Sequence, residues 1–172
     1  MLDITGTAGD GITLTVPGVI EVEERGYLAI PVSGQMADLP RFAPPVIDRL
    51  MGWLGERGLK PLEFFFRYRS FGADGSVRLE VGAVPDGSTE PEGDVIAGTL
   101  PAGRYAKATL TGPYDRLYDA FAMLDGWQSH RGAEAERLPS DEVAGQFEFY
   151  RIGPAQESNP MKWQTDILIK TI

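Results

Sequence analysis

The sequence predicts an α+β fold: two tandem strand-helix-strand-strand modules. Two observations carry this prediction. The nonamer L-x-G-W-x-x-x-R-G occurs at residues 50–58 and again at 124–132. Flanking matches keep the same order. Tyr27 and Gly34 are spaced as Tyr105 and Gly112 are, each glycine follows a hydroxyl residue (Ser33, Thr111), and Tyr68-Arg69 answers Tyr150-Arg151. Such self-similarity outranks local signals in reading a fold. Second, the hydrophobic period changes in the same order in both halves, from strand to helix to two strands.

In the first module, about residues 19–85, "VIEVEERGYLAIPVSG" is rich in β-branched residues and bounded by glycines, which predicts a strand or hairpin. "LPRFAPPVIDRLMGWLGERG" places Ile47, Leu50, Met51 and Leu54 at i, i+3, i+4 and i+7, one face of an amphipathic helix. Its prolines suit the first turn, and Gly58 suits the stop. "LEFFFRYRSF" and "VRLEVGAV" form a hairpin around "GADGS". Residues 86–94, rich in Pro and Gly, connect the modules.

The second module, about residues 95–172, repeats the plan. "VIAGTLPAGRYAKATLTG" supplies a strand, and "YDRLYDAFAMLDGWQSHRG" a helix with Leu117, Phe121 and Leu124 on one face. "GQFEFYRIG" and "WQTDILIKTI" supply the closing strands. Residues 133–145 form a polar surface loop. The whole chain, 1–172, is then one domain. Trp53 and Trp127, each beside a glycine on its helix, are expected in the core.

The chain has 172 residues, a formal charge of -9, no cysteine and one histidine. No cysteine means no disulfide, thiolate metal site or cysteine nucleophile, and fits a reducing compartment. His130 sits near a helix end, where a cation suits the dipole, and has no visible orienting partner. No metal site and no cofactor are expected: zinc and iron lack ligands, and both phosphate-loop patterns are absent. An acidic chain without a Lys/Arg cluster repels phosphate backbones, so no nucleic acid is expected as partner. The start, "MLDITGTAGDG", lacks a signal peptide's basic and apolar regions, and no apolar run nears the ~20 residues of a membrane helix. The expectation is a cytoplasmic protein with no membrane contact.

The remaining chemistry centres on "QFEFY", residues 146–150. Strand parity puts Phe147 and Phe149 on one face and Glu148 with Tyr150 on the other. The equivalent strand of the first module offers Phe64, Phe66 and Tyr68. The expectation is that helices cover the Phe147/Phe149 side, while the Glu148 side forms a groove where the modules meet. A carboxylate walled by aromatics attracts cations, and burial raises its pKa. Arg67 fits poorly, because parity points it to the side expected to carry helices. It is expected to snorkel out at the edge, unless the register there is different.

With these residues in view, the chain resembles the GyrI-like small-molecule-binding family, which is also found as the effector-binding domain of AraC-type and MerR-type multidrug regulators. "LPAGRYAKATLTGPY" at 100–114 is similar to the family's L-P-A-G-x-Y-A…G-P-Y stretch, and "FEFY" at 147–150 to its aromatic-Glu-x-Tyr signature. The resemblance runs from about Val19 to Ile172. It implies tandem SHS2-type modules related by a pseudo-twofold axis, with a ligand cleft between them whose central acid is Glu148, often facing cationic aromatic drugs, and with Tyr150 at the motif's tyrosine position. Phe66 and Tyr68 follow through the internal repeat, and Trp163 completes the expected ligand-binding set. With some 18 residues before the first module, the chain resembles stand-alone members. Three functions are weighed: a binder of a hydrophobic, aromatic or cationic small molecule; a hydrolase of strained, cyclopropane-type electrophiles, with Glu148 and Tyr150 catalytic; and an inhibitor of a basic protein partner.

Overall fold

In a computed structural model, residues 11–172 are described, and they build a single nine-stranded sheet with two helices. The strands are β1 (Thr13–Leu14), β2 (Gly18–Val22), β3 (Arg25–Gln35), β4 (Pro61–Phe71), β5 (Ser76–Pro85), β6 (Ile96–Leu100), β7 (Gly103–Thr111), β8 (Gln146–Ile152) and β9 (Gln164–Lys170). The helices are α1 (Leu39–Glu56) and α2 (Leu117–Arg131), each entered through a 3-10 turn. Along the chain, strand, helix, strand, strand occurs as β3-α1-β4-β5 and as β7-α2-β8-β9. Across the sheet the order is β1-β7-β9-β8-β4-β5-β3-β6, with β2 also lying along β7, and every pairing is antiparallel.

The repeated nonamer is a helix stop. Gly58 and Gly132 have φ of +69° and +66°, the left-handed conformation that ends a helix cheaply only with glycine. One turn upstream, the Arg57 guanidinium lies 3.6 Å from the Trp53 ring centroid, and that of Arg131 lies 5.7 Å from Trp127. The two tryptophans, each partly buried, pack against the cores under α1 and α2. His130 is exposed in the last turn of α2.

One rung of the sheet places the site. Reading across, Ile30 pairs with Val81, Val81 with Phe66, Phe66 with Glu148, Glu148 with Ile167, and Ile167 with Ala108. These side chains share one face. Helix α1 packs on its Ile30/Val81 end through Val46, Leu50 and Leu54. Helix α2 packs on the Ala108/Ile167 end through Leu117, Ala120 and Leu124. Glu148 stands mid-rung, between the two helices. The face that carries the helices is therefore the Glu148 face, the reverse of the sequence expectation.

The Phe147/Phe149 face is dry for a different reason. The sheet curls over it, so that Tyr27, Leu100 and Tyr105 from its outer strands meet Phe65, Phe147, Phe149 and Leu168 from its middle. The close ring approach needs glycine: a Cβ on Gly98 would lie 2.4 Å from the Tyr27 ring, and one on Gly82 2.5 Å from that of Phe65. Arg67 points into this face as parity demands, yet it is 3% exposed and does not snorkel. Its guanidinium donates to Tyr27 Oη at 2.8 Å and to the carbonyls of Thr99 at 2.9 Å and Ala144 at 3.0 Å. Partners fixed by the curl, not an exit to water, take its two NH2 groups, and the Glu80 carboxylate lies 4.0 Å from Nε.

The opening segment of each module also departs from expectation. Residues 18–35 and 96–111 each form two strands with different partners: β2 leads into β3 but pairs with β7, and β6 leads into β7 but pairs with β3. Residues 133–145 are turn-rich, as expected, and are held by isolated bridges, Ala135 to Thr171 and Arg137 to Val143. The connector at 86–94 is tied to α1 by Arg49–Asp94 at 2.7 Å and Arg57–Glu92 at 2.8 Å. No helix among the described residues is long and apolar enough to cross a membrane.

Candidate functional site

Three carboxylates are buried among the described residues: Glu80, Glu148 and Asp166. Glu80 takes the Arg69 guanidinium at 2.8 Å and a hydrogen bond from Tyr27 Oη at 3.0 Å. Asp166 is bracketed by Arg151 at 2.9 Å and Lys107 at 3.4 Å, with Thr109 donating at 2.6 Å. Those cations and hydrogen bonds hold the Asp166 carboxyl below its usual range despite its burial.

Glu148 differs in kind. It is 4% exposed and has no cation beside it. Both its oxygens accept from phenols: Tyr68 Oη donates to Oε1 at 2.9 Å, and Tyr150 Oη donates to Oε2. Burial pushes the carboxyl up to about 7, against the opposing pull of the two hydrogen bonds. Burial, reinforced by the Glu148 charge, pushes the Tyr68 and Tyr150 hydroxyls well above the usual phenol range.

The strands fix this arrangement. Phe66 and Glu148 are directly opposed across the β4/β8 pair, so side chains two residues further along each strand, Tyr68 and Tyr150, flank the carboxyl from opposite ends. Phe66 and Phe64 pack on the Tyr150 ring at centroid distances of 5.2 and 5.4 Å. At the other end, Phe71 stacks on Tyr68 at 5.4 Å, and Phe121 of α2 meets it edge-on at 6.4 Å. The four expected residues Glu148, Tyr150, Phe66 and Tyr68 are therefore one contiguous cluster. Trp163 is one ring removed. It packs on Tyr114 at 4.7 Å, and Tyr114 in turn meets Tyr150 at 5.4 Å.

Tyr114 is the member that residue patterns missed. It follows Gly112-Pro113 and opens the 3-10 turn into α2, and burial together with the Glu148 charge raises its hydroxyl. Its signal lay in the "GPY" that ends the 100–114 stretch. The Trp163 indole donates to the Glu157 carbonyl at 2.7 Å, which anchors the Trp163–Tyr114 stack.

The carboxyl is covered by its own aromatics. Two surface depressions, of about 260 and 360 Å³, lie elsewhere, one beside Phe71, Arg78 and Arg137 and the other beside Ser33, Arg69 and Glu80. Neither is lined by Glu148. Among the described residues no group of three or more His, Cys, Asp or Glu could hold a metal ion. What the site can do is hold a negative charge, or a proton, at the centre of an aromatic box.

Comparison with known proteins identifies the family and the fold. The model of the GyrI-like small molecule binding domain matches residues 17–171. No curated protein matches. Among solved structures, the EcmrR C-terminal domain superposes with a TM-score of 0.74 at 18% identity, over 91% of this chain and 97% of that one. The same TM-score and identity hold for EcmrR in a transcription complex with DNA, where the match covers 92% of this chain but 58% of EcmrR. SAV2435, solved bound to tetraphenylphosphonium, superposes at 0.68 with 13% identity, over 92% of this chain and 94% of that one. A hydrolase from Listeria innocua superposes at 0.62 with 13% identity, over 91% of each chain. At these identities the likeness is one of fold.

Proposed function

The chain belongs to the GyrI-like small-molecule-binding family, and on that premise we propose that it binds a hydrophobic, aromatic cation over Glu148. One observation carries the reading. Glu148 is the only one of the three buried carboxylates without a cation, and aromatic rings surround it. Burying an unpaired carboxylate costs several kcal/mol, so such a group is retained against stability. A delocalised organic cation supplies the missing charge, and the ring faces of Phe64, Tyr150 and Tyr114 add cation–π attraction. Tyr150 is only half-buried, whereas Tyr68 is 2% exposed, so the ligand reaches the carboxyl past the Tyr150 ring. The role is that of an effector-binding domain, in which ligand occupancy is the signal.

Titration with tetraphenylphosphonium, followed by intrinsic fluorescence, tests this. Glu148→Gln keeps the shape and removes the charge. The expected loss is about 1.5–3 kcal/mol of binding, the scale of a hydrogen bond to a charged group. Unchanged affinity in Glu148→Gln overturns the assignment.

A hydrolase reading draws on one observation: a carboxyl poised near neutrality beside phenol donors suits acid–base work on water. It differs in turnover. An enzyme releases altered product from a strained electrophile, and Glu148→Gln lowers that rate by roughly 100-fold or more; a binder stays saturated. The acidic surface alone supports the third role, inhibition of a basic partner, and that binding would survive loss of Glu148.

A further inference from the structure

We propose that the site is a proton–cation exchanger: the ligand-free protein holds a proton on Glu148, and a bound organic cation takes that proton's place. This rests on the cation-binding reading above and adds the stoichiometry and its consequence, an affinity set by pH.

Three phenols face the carboxyl. From β4 there is Tyr68, from β8 Tyr150, and from the turn before α2 Tyr114. The neighbour from β9 on the same rung is Ile167. Around this cluster α1 presents Ile47, Leu50 and Met51, and α2 presents Phe121. Among the described residues no arginine or lysine acts on the carboxyl. The basic side chains next to Tyr68 and Tyr150 in sequence are committed elsewhere: Arg67 to Tyr27 and to main-chain carbonyls, Arg69 to Glu80, and Arg151 to Asp166.

The hydrogen bonding serves both states. As a carboxylate, Glu148 accepts from both phenols. As an acid, it accepts from one phenol through its carbonyl oxygen and donates its own O–H to the other, whose hydroxyl oxygen has free lone pairs. Gain or loss of one proton, with rotation of one phenol hydrogen, interconverts the two, and no heavy atom moves. Burial favours the neutral form, and the carboxyl's value of about 7 keeps it largely protonated below neutrality.

On binding, the O–H bond of the acid breaks, the proton leaves to solvent, and the carboxylate faces the ligand cation. The net charge of the box is unchanged. Linkage then fixes the sign. Below the carboxyl's value the ligand must displace a proton, so affinity falls about tenfold for each unit of falling pH; above it, affinity is constant.

Isothermal titration calorimetry with tetraphenylphosphonium tests the exchange. Titrations at about pH 6 in two buffers of different ionisation enthalpy should show close to one proton released per cation bound, and at about pH 8.5 close to none. Glu148→Gln should bind more weakly, without proton release and without pH dependence. A second measurement needs only the wild-type chain. With glutamate Cδ labelled with carbon-13, one resonance, absent from Glu148→Gln, should titrate near neutrality in the ligand-free protein. Saturating ligand should leave it ionised at about pH 6. Binding with pH-independent affinity and no proton release overturns the exchange and leaves cation binding standing. No binding even at about pH 8.5 overturns both.

Discussion

The carboxyl of Glu148 ties folding to pH with a sign that can be worked out. Its folded value, about 7, lies above the ordinary 4.5, so the folded state holds the proton more tightly than the unfolded chain. The stabilisation this gives is fully present below about 4.5 and is lost as pH rises through about 7. At 1.36 kcal/mol per pKa unit, the loss is on the order of 3 kcal/mol. Glu148→Gln should therefore match the wild type in urea denaturation at about pH 4 and exceed it at about pH 8.5 by up to that amount. A variant less stable than wild type at the higher pH would mark the glutamate as a structural anchor. At this scale much was legible in the sequence. Strand parity alone joins Glu148 to Tyr150, and the repeat adds Phe66 and Tyr68. Tyr114 was not legible from parity, because it sits in a turn, where no period applies. Nor was the lodging of Arg67, since its acceptors at Thr99 and Ala144 are brought to it only by the curl of the sheet.

At the scale of elements, the helix stops and the close-packed strands give separate tests. Gly132→Ala forces an alanine to φ near +66° and should cost about 1 kcal/mol. Gly98→Ala puts a methyl 2.4 Å from the Tyr27 ring. That ring cannot swing aside cheaply, because its hydroxyl is held by both Arg67 and Glu80; a cost of about 1–3 kcal/mol is expected, the range for overpacking. Urea midpoints check both, and wild-type stability in Gly98→Ala would contradict the curled packing. The helices themselves were legible, since the stripe Ile47, Leu50, Met51 and Leu54 faces the core as periodicity predicts. Their side of the sheet was not. β4 is aromatic on both faces, with Phe64, Phe66 and Tyr68 on one and Phe65 on the other, so alternation separates the faces without saying which meets a helix. The short strands β2 and β6 were hidden because a break of two residues in a β-rich run changes the partner without changing the pattern.

For the whole molecule, the crossed pairing of β2 with β7 and of β6 with β3 bears on how the chain comes apart. A cut in the connector at 86–94 leaves an N-terminal fragment without β6 and a C-terminal fragment without β2. Each also bares one side of the β4/β8 pair, where Phe65 and Phe149 are 0% and 1% exposed. We expect each fragment alone to lack cooperative structure by circular dichroism, and an equimolar mixture to regain it. An N-terminal fragment that folds alone would contradict this. Reading outward from β4/β8, the two halves run in the same order, β4-β5-β3 and β8-β9-β7, from which we infer that they are copies related by an axis through the Phe66–Glu148 pair. That position has a consequence for ancestry. Two identical subunits meeting on such an axis must present the same residue twice: two phenylalanines, which carry no charge, or two glutamates, whose carboxylates repel across a dry interface. A rung that carries one of each needs two copies free to differ, as the two halves of one chain are. On that inference, the lone acid marks divergence between the two halves, which a dimer of identical subunits does not permit.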